Sequence, residues 1–324
     1  MNNPFVNSCL VSLALAFPST TAASDWPARP VRLVLPVQAG SSADAVARAL
    51  AERLSAKWKQ PVVIENRPGA GTIIGTETVA KAAPDGYTLG WVITSHAINS
   101  SLHPKLSYDS LRDFAGVTLL YQLKAVIVVS PGTPVSTVEE LVHWARKQPG
   151  QVNYASTGTG TGPHLLGELF KLRHGLDMQH VAYRGGQQAM PDVVAGRVPV
   201  MFDTLSSTLP QIRAGKLKLL AVVSDDPIPG EPDLPLLGGL LPRNAMVGWN
   251  GIVVPAKTPR QIVARLNADL VEAVRSPEIQ QILARYNVQT ITTTPEGFDE
   301  FIRTETARWG EVIKRAGITL EAAN

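Results

Sequence analysis

Short apolar runs alternate along the chain with longer stretches whose apolar residues recur every three or four positions. "VRLVLP", from Val31, is apolar almost throughout and reads as a buried strand. In "SSADAVARALAERLSAKW", Val46, Leu50 and Leu54 fall on one helical face. "PVVIEN" is a second strand, "GTIIGTETVAKAAP" a helix stopped by Pro84, and "YTLGWVIT" a third strand. This βαβαβ order predicts a parallel sheet with helices on both faces.

A second series starts at the strand "AVIVVSP". "TVEELVHWARKQPG" is a helix opened by Ser136 or Thr137 and closed by Pro149-Gly150. A strand ending at Ala155 runs into "STGTGTG" and then an amphipathic helix from Pro163. "HVAYRG", a helix through Met190 to Ala195, the strand "VPVMFD" and the helix and strand of "QIRAGKLKLLAVVS" follow. Asp225 to Gly239 is rich in Pro and Gly and reads as a long loop. "GWNGIVVP" is a strand placed to return to the first unit. The tail holds three helices, Pro259 to Arg275, Pro277 to Tyr286 and Pro295 to Ala316. The expected architecture is α/β in two lobes joined by crossing strands, 24–123 with 247–324 and 124–246. Ligands of such sheets sit at the carboxyl ends of strands, here in the cleft between lobes.

Composition narrows the function. With 44% hydrophobic and 18% charged residues in 324, the chain buries a real core and lacks the signature of disorder. The net charge is +3, but no run of like charges and no basic stripe appears, which argues against a nucleic-acid partner. Cys9 to Phe17 is too short an apolar run to span a bilayer, and small residues ending Thr21-Ala22-Ala23 follow it. Residues 1–23 therefore read as a cleaved secretory signal peptide, although no Lys or Arg precedes the apolar run. Cys9, the only cysteine, stands before that run, an arrangement unlike a lipid-anchored cysteine. The mature chain then has no disulfide, thiol nucleophile or cysteine metal site. No later stretch is long and apolar enough to cross a membrane, so an exported, soluble product is expected.

Candidate chemistry gathers where strands run into helices. Ser156, Thr157, Gly158, Thr159 and Gly160 form a glycine-threonine loop that ends in a helix N-terminus with Pro163 in its first turn. Backbone N–H groups and the helix dipole make such a place an anion site without any Lys, and a forked set of donors suits a carboxylate. A plain flexible loop is the competing reading. The Gly-x-Gly-x-Gly spacing fits neither a dinucleotide fingerprint nor a phosphate loop. Gly40, Ser41 and Ser42 repeat the geometry in the first lobe, where Asp44 completes a capping-box pattern with Ser41. Two helix N-termini, one per lobe, then aim at one anion. Thr94, Ser95 and His96 end the third strand, His96 being either a ligand contact or a structural histidine. Asp203 ends "VMFD", where it accepts from a ligand hydroxyl or amine or caps the next turn through Ser206. Tyr183 and Arg184 belong to the rim. No nucleophile elbow or metal-ligand cluster appears, so no catalytic residue, metal or cofactor is assigned.

Trp26 to about Gly317 resembles the periplasmic solute receptors of tripartite tricarboxylate transporters, the Bug receptor family. The resemblance is carried by "WPARPVRLVLP", "PVVIENRPGAGTIIGTE", "AAPDGYTL", "YASTGTGTGPHLLGELF", "HVAYRG" and "GWNGIVVPAKTP", with "ENRPGAG" and "PDGYTL" the most specific. It implies a type II periplasmic binding fold that closes on a small carboxylate. It also implies delivery to two integral membrane subunits, or to a membrane sensor where no transporter is served. The family's ligand loops correspond here to Pro36–Asp44, Thr94–His96, Ser156–Gly162 and Asp203. Val37 stands where the family usually has an aromatic, and Ser41 where it usually has a second glycine. A monomeric receptor is the expectation, with an exported hydrolase or transferase acting on carboxylates as the reading of a different class.

Overall fold

The computed structural model describes residues 26–183, 185–228, 230–240 and 248–319. The expected signal peptide and Arg184 lie outside them. The first run comprises β1 (Val31–Leu35), α1 (Ser42–Trp58), β2 (Val62–Asn66), α2 (Ile73–Ala80), β3 (Thr88–Ile93), α3 (Ser95–Leu102) and β4 (Phe114–Leu123). The second comprises β5 (Ala125–Val129), α4 (Val138–Arg146), β6 (Val152–Ser156), α5 (Gly162–His174) and β7 (Met178–Ala182). It continues through α6 (Gly186–Val194), β8 (Val200–Thr204), α7 (Leu205–Arg213) and β9 (Lys218–Val223). The chain closes with β10 (Gly248–Pro255), α8 (Arg260–Val274), α9 (Pro277–Arg285), β11 (Gln289–Thr290) and α10 (Pro295–Ala316).

Two sheets result, one in the order β11-β4-β10-β3-β1-β2 and one in the order β7-β6-β8-β5-β9. β1 pairs in parallel with β2 and β3, and β6 with β7 and β8, as alternating strands and helices require. The sheets as wholes are mixed, which corrects the expectation of a parallel one. β10 runs antiparallel to β3 and β4, and β5 antiparallel to β8 and β9. Both reversed strands arrive from the other lobe. They enter at the cleft end, Asn250 opposite Ile93 and Ala125 opposite Thr204, and must run away from it.

The alternation of strand side chains divides the interior. Val31, Leu33 and Leu35 face a cluster with α1, α8 and α9, while Val34 faces the opposite side. In the second sheet Val126 and Val128 pack against α6 and α7. Ile127 and Val129 belong instead to the cluster that holds Val34, Ile98, Trp249, Phe298 and Trp309 of the first lobe. One continuous core thus crosses between the lobes. α10 carries much of that link, packing on α3 and β4 and reaching α5. Hydrophobic periodicity marked neither α3 nor β4. "SHAINSSL" has poor intrinsic helix formers and is held as a helix by its contact with α10.

Candidate functional site

Where the carboxyl ends of β3, β6 and β8 face each other, a cavity of about 290 Å³ opens between the lobes. Most of its wall is apolar, built from Val37, Ile93, Leu123, Pro163 and Trp249. Of the residues expected at a ligand site, Ser41, Ser42, Thr94, Ser95, Thr157 and Asp203 line it. Gly40, His96, Ser156, Gly158, Thr159, Gly160 and Tyr183 do not.

The N-terminus of α1 is a reciprocal cap. Ser41 Oγ accepts from the Asp44 N–H at 3.2 Å, and Asp44 Oδ2 accepts from the Gly40 N–H at 2.9 Å. The Gly40 N–H is therefore spent on Asp44. Asp44 also receives Arg48 at 2.9 Å and Asn66 at 2.9 Å. Burial alone would raise its carboxyl, but the hydrogen bonds from Arg48, Gly40 and Asn66 and the Arg48 charge hold it below its ordinary value. The ionised cap thus adds little net field at the cavity. The first-turn N–H groups of Ser42 and Ala43 and the Ser42 hydroxyl remain as donors on the cavity side.

In α3, Thr94 Oγ1 accepts from the Trp249 N–H at 3.1 Å, which leaves its own proton free to donate. Ser95 Oγ lies 2.7 Å from Thr72 Oγ1. The His96 side chain turns the other way, into the core. Its Nε2 donates to the Ser110 carbonyl at 3.2 Å, and its ring meets Phe114 edge-on at 4.9 Å. Burial pushes it down to about 4 against the pull of Ser110, so it is neutral and structural.

The glycine loop is bonded largely to itself. The Gly158 N–H donates to Ser156 Oγ at 3.2 Å, and the Gly160 N–H to His164 Nδ1 at 3.1 Å. Thr157 Oγ1 donates to Thr161 Oγ1, which donates in turn to the Gly158 carbonyl at 2.7 Å. Ser156 is fully buried, its Oγ 2.7 Å from His180 Nε2, and His180 stacks on His164 at 3.9 Å. Both rings are pushed down mainly by burial, His164 to about 4 and His180 to about 3. A neutral His164 can accept the Gly160 N–H, as the loop requires. Toward the cavity this loop and the start of α5 offer Thr157, Thr161 and the Gly162 N–H, Pro163 having none. Ser156 and Gly160 shape the loop from behind it.

Asp203 is the one charged side chain in the wall among the described residues. Its Oδ1 accepts from the Thr204 N–H at 2.7 Å and its Oδ2 from Ser207 Oγ at 2.8 Å. The capping hydroxyl is thus Ser207 and not Ser206, which bonds Thr204 Oγ1 at 3.1 Å. Burial raises Asp203 to about 6 against those two hydrogen bonds. The Tyr183 hydroxyl donates to Asp192 at 2.6 Å and is thereby drawn off the cleft.

Asn250, the third residue of β10, carried no signal of its own among the strand-to-helix candidates. Its Oδ1 accepts from the Trp91 Nε1–H at 2.7 Å. Indole is only a donor, so the amide orientation is fixed and the NH₂ is left for the cavity it lines. The signal lay in "GWNG", a polar residue inside an otherwise apolar strand. Among the described residues no group of three His, Cys, Asp or Glu is placed to hold a metal. Nor is any helix long and apolar enough to cross a membrane.

Residues 46–318 match the family model described as the tripartite tricarboxylate transporter family receptor, TctC. Protein BugT of Bordetella pertussis is 33% identical over 303 residues, 93% of each chain. Among solved structures, Rpa4515 of R. palustris with adipate superposes with a TM-score of 0.80 at 32% identity, over 91% of this chain and 99% of that one. MatC of Rhodopseudomonas palustris with bound malate gives 0.76 at 28% identity, over 89% and 100%. The fold is therefore the two-lobed one of periplasmic binding proteins, and the chain belongs to the TctC family of tripartite tricarboxylate transporter receptors.

Proposed function

We propose that the protein is an exported receptor that closes its two lobes on a small carboxylate and presents it to two integral membrane subunits of a transporter. The observation that carries this reading is the donor set. The Ser42, Ala43 and Gly162 N–H groups, the Ser42 and Thr94 hydroxyls and the Asn250 amide converge on one apolar cavity whose wall, among the described residues, holds no cation. Hydrogen bonds to a charged group contribute roughly 1.5–3 kcal/mol each, so four or five suffice for tight binding after ordering costs. The adipate and malate held by two relatives are carboxylates of a size that fits such a cavity. Residues 24–123 with 247–324 form one lobe and 124–246 the other, after loss of residues 1–23 on export to the periplasm. The same donors bind without reacting, which favours a receptor over an enzyme: the Ser156–His180 pair sits behind the loop and not in the cavity wall.

Thermal unfolding of the chain from Ser24 to Asn324 against mono-, di- and tricarboxylates, amino acids and neutral sugars tests this. A ligand that binds only the folded state raises the midpoint. A rise with one carboxylate class and none with sugars is expected. A rise with sugars alone would remove the reading.

A further inference from the structure

Four consecutive residues of an exposed turn, Gly69, Ala70, Gly71 and Thr72, have φ of 125°, 46°, 63° and 81°. Left-handed backbone normally occurs as single residues, and a β-branched residue there is an outlier. Such strain persists only where the surroundings over-determine it. α3 supplies the restraint. Asn99 Nδ2 donates to the Gly71 carbonyl at 2.9 Å, and Ser95 Oγ meets Thr72 Oγ1 at 2.7 Å. Ser95 and Asn99 are one helical turn apart, so both grip the turn from one face. Beside it, Gly75 lets α2 pack against Pro36 so closely that a Cβ would stand 2.9 Å from the proline Cβ. The turn is thus exposed outward at 67–71 and fastened inward to the cavity wall.

Ser95 belongs to both sides, because it also lines the cavity. Asn99 Nδ2 also reaches Thr72 Oγ1, at 3.5 Å, but within the hydroxyl pair either oxygen can donate to the other. A carboxylate only accepts. Once it takes the Ser95 proton, Ser95 Oγ must accept and Thr72 must donate. The chain from Thr72 through Ser95 to the ligand then has one direction, and each bond polarises the next.

We propose that Thr72 is a positioning residue for ligand binding: its hydroxyl aims that of Ser95 into the cavity, and ligand occupancy in turn tightens the exposed turn Gly69–Thr72. This rests on the carboxylate reading above. Because such coupling is reciprocal, loosening the turn weakens binding as much as binding steadies the turn. The loaded and empty receptor then differ at an exposed surface that a partner can touch.

The test measures adipate and malate affinity by calorimetry and amide hydrogen exchange across 69–74 with and without ligand. It compares the wild-type protein with Thr72→Val and Thr72→Ser. Valine keeps the shape and the strain but removes the hydroxyl, whereas serine keeps the hydroxyl. Thr72→Val is expected to weaken binding roughly fivefold and to lose the ligand-induced protection of the turn, while Thr72→Ser keeps both. Unfolding midpoints of the ligand-free variants show that each is folded. Equal affinity in the valine variant, or a turn whose exchange ignores ligand in the wild type, overturns the positioning role and leaves the receptor standing. A wild-type protein that binds no carboxylate overturns both.

Discussion

Asn250 and Asp203 set opposite electrostatic demands on whatever enters the cavity. Asn250 presents an NH₂ whose direction is fixed by Trp91. Asn250→Asp keeps the shape and still accepts from the indole, but replaces the donor with a charge that repels a carboxylate. We expect a folded variant whose carboxylate affinity, by titration, is lower by roughly 10- to 150-fold, the worth of one hydrogen bond to a charged group. Asp203 makes a prediction in pH. Its folded-state pKa is raised from 3.8 to about 6, so between those values the folded protein holds a proton that the unfolded chain has released. Stability contributed by the protonated form is full below the unfolded value and is lost as pH rises through the folded one. At about pH 7 the ionised, buried Asp203 costs on the order of 3 kcal/mol. Asp203→Asn should therefore raise the unfolding midpoint near neutral pH and have little effect near pH 4. An equal effect at both would remove the charge from the explanation. At this scale the sequence was a partial guide. It picked out Ser42, Thr94 and Asp203 because they end strands or start helices. It missed Asn250, whose role depends on an indole 159 positions away in sequence.

The glycine loop shows what an element adds to its residues. Its threonines and glycines were legible as a turn into a helix, and Thr161 with Pro163 does open α5. What the pattern concealed is the support behind it. His164 accepts the Gly160 N–H and His180 meets Ser156, and both histidines come from outside the loop. His164→Leu removes that acceptor, whereas His164→Asn keeps an acceptor near the place of Nδ1. The leucine variant should bind carboxylate at least about 10-fold more weakly, with the asparagine variant close to wild type. Titration of both, with circular dichroism to show that each is folded, decides it. Identical affinities would mean that the loop keeps its shape unaided. Ser156→Ala is expected to lower stability by about 1 kcal/mol, since its hydroxyl bonds protein and not ligand. The helices of the tail were legible because each begins at a proline and holds a long apolar stripe. α3 was not, because its helicity depends on α10, whose position no local pattern encodes.

In the whole molecule the two lobes are less separate than their two sheets suggest. Ile127 and Phe202 of one lobe and Val34 and Phe298 of the other share one buried cluster. α10 bridges them through α5. Heating should therefore give one calorimetric transition, with equal calorimetric and van't Hoff enthalpies. Two resolved transitions would show lobes that fold independently. Two lobes were legible in the sequence because strand–helix units came in two series. The mixed pairing was not, since the direction of β5 and β10 follows from where the chain crosses the cleft and not from their composition.

Carboxylate recognition in this cleft is decided by a calorimetric titration of ligand-stripped protein with adipate and, in parallel, with its uncharged diamide. The two have nearly the same size and shape and differ in charge. Donors from two helix N-termini and an oriented amide predict saturable binding of the acid, at least roughly 10-fold tighter than of the diamide. Equal binding of both, or preference for the diamide, would contradict recognition of a carboxylate in this cleft.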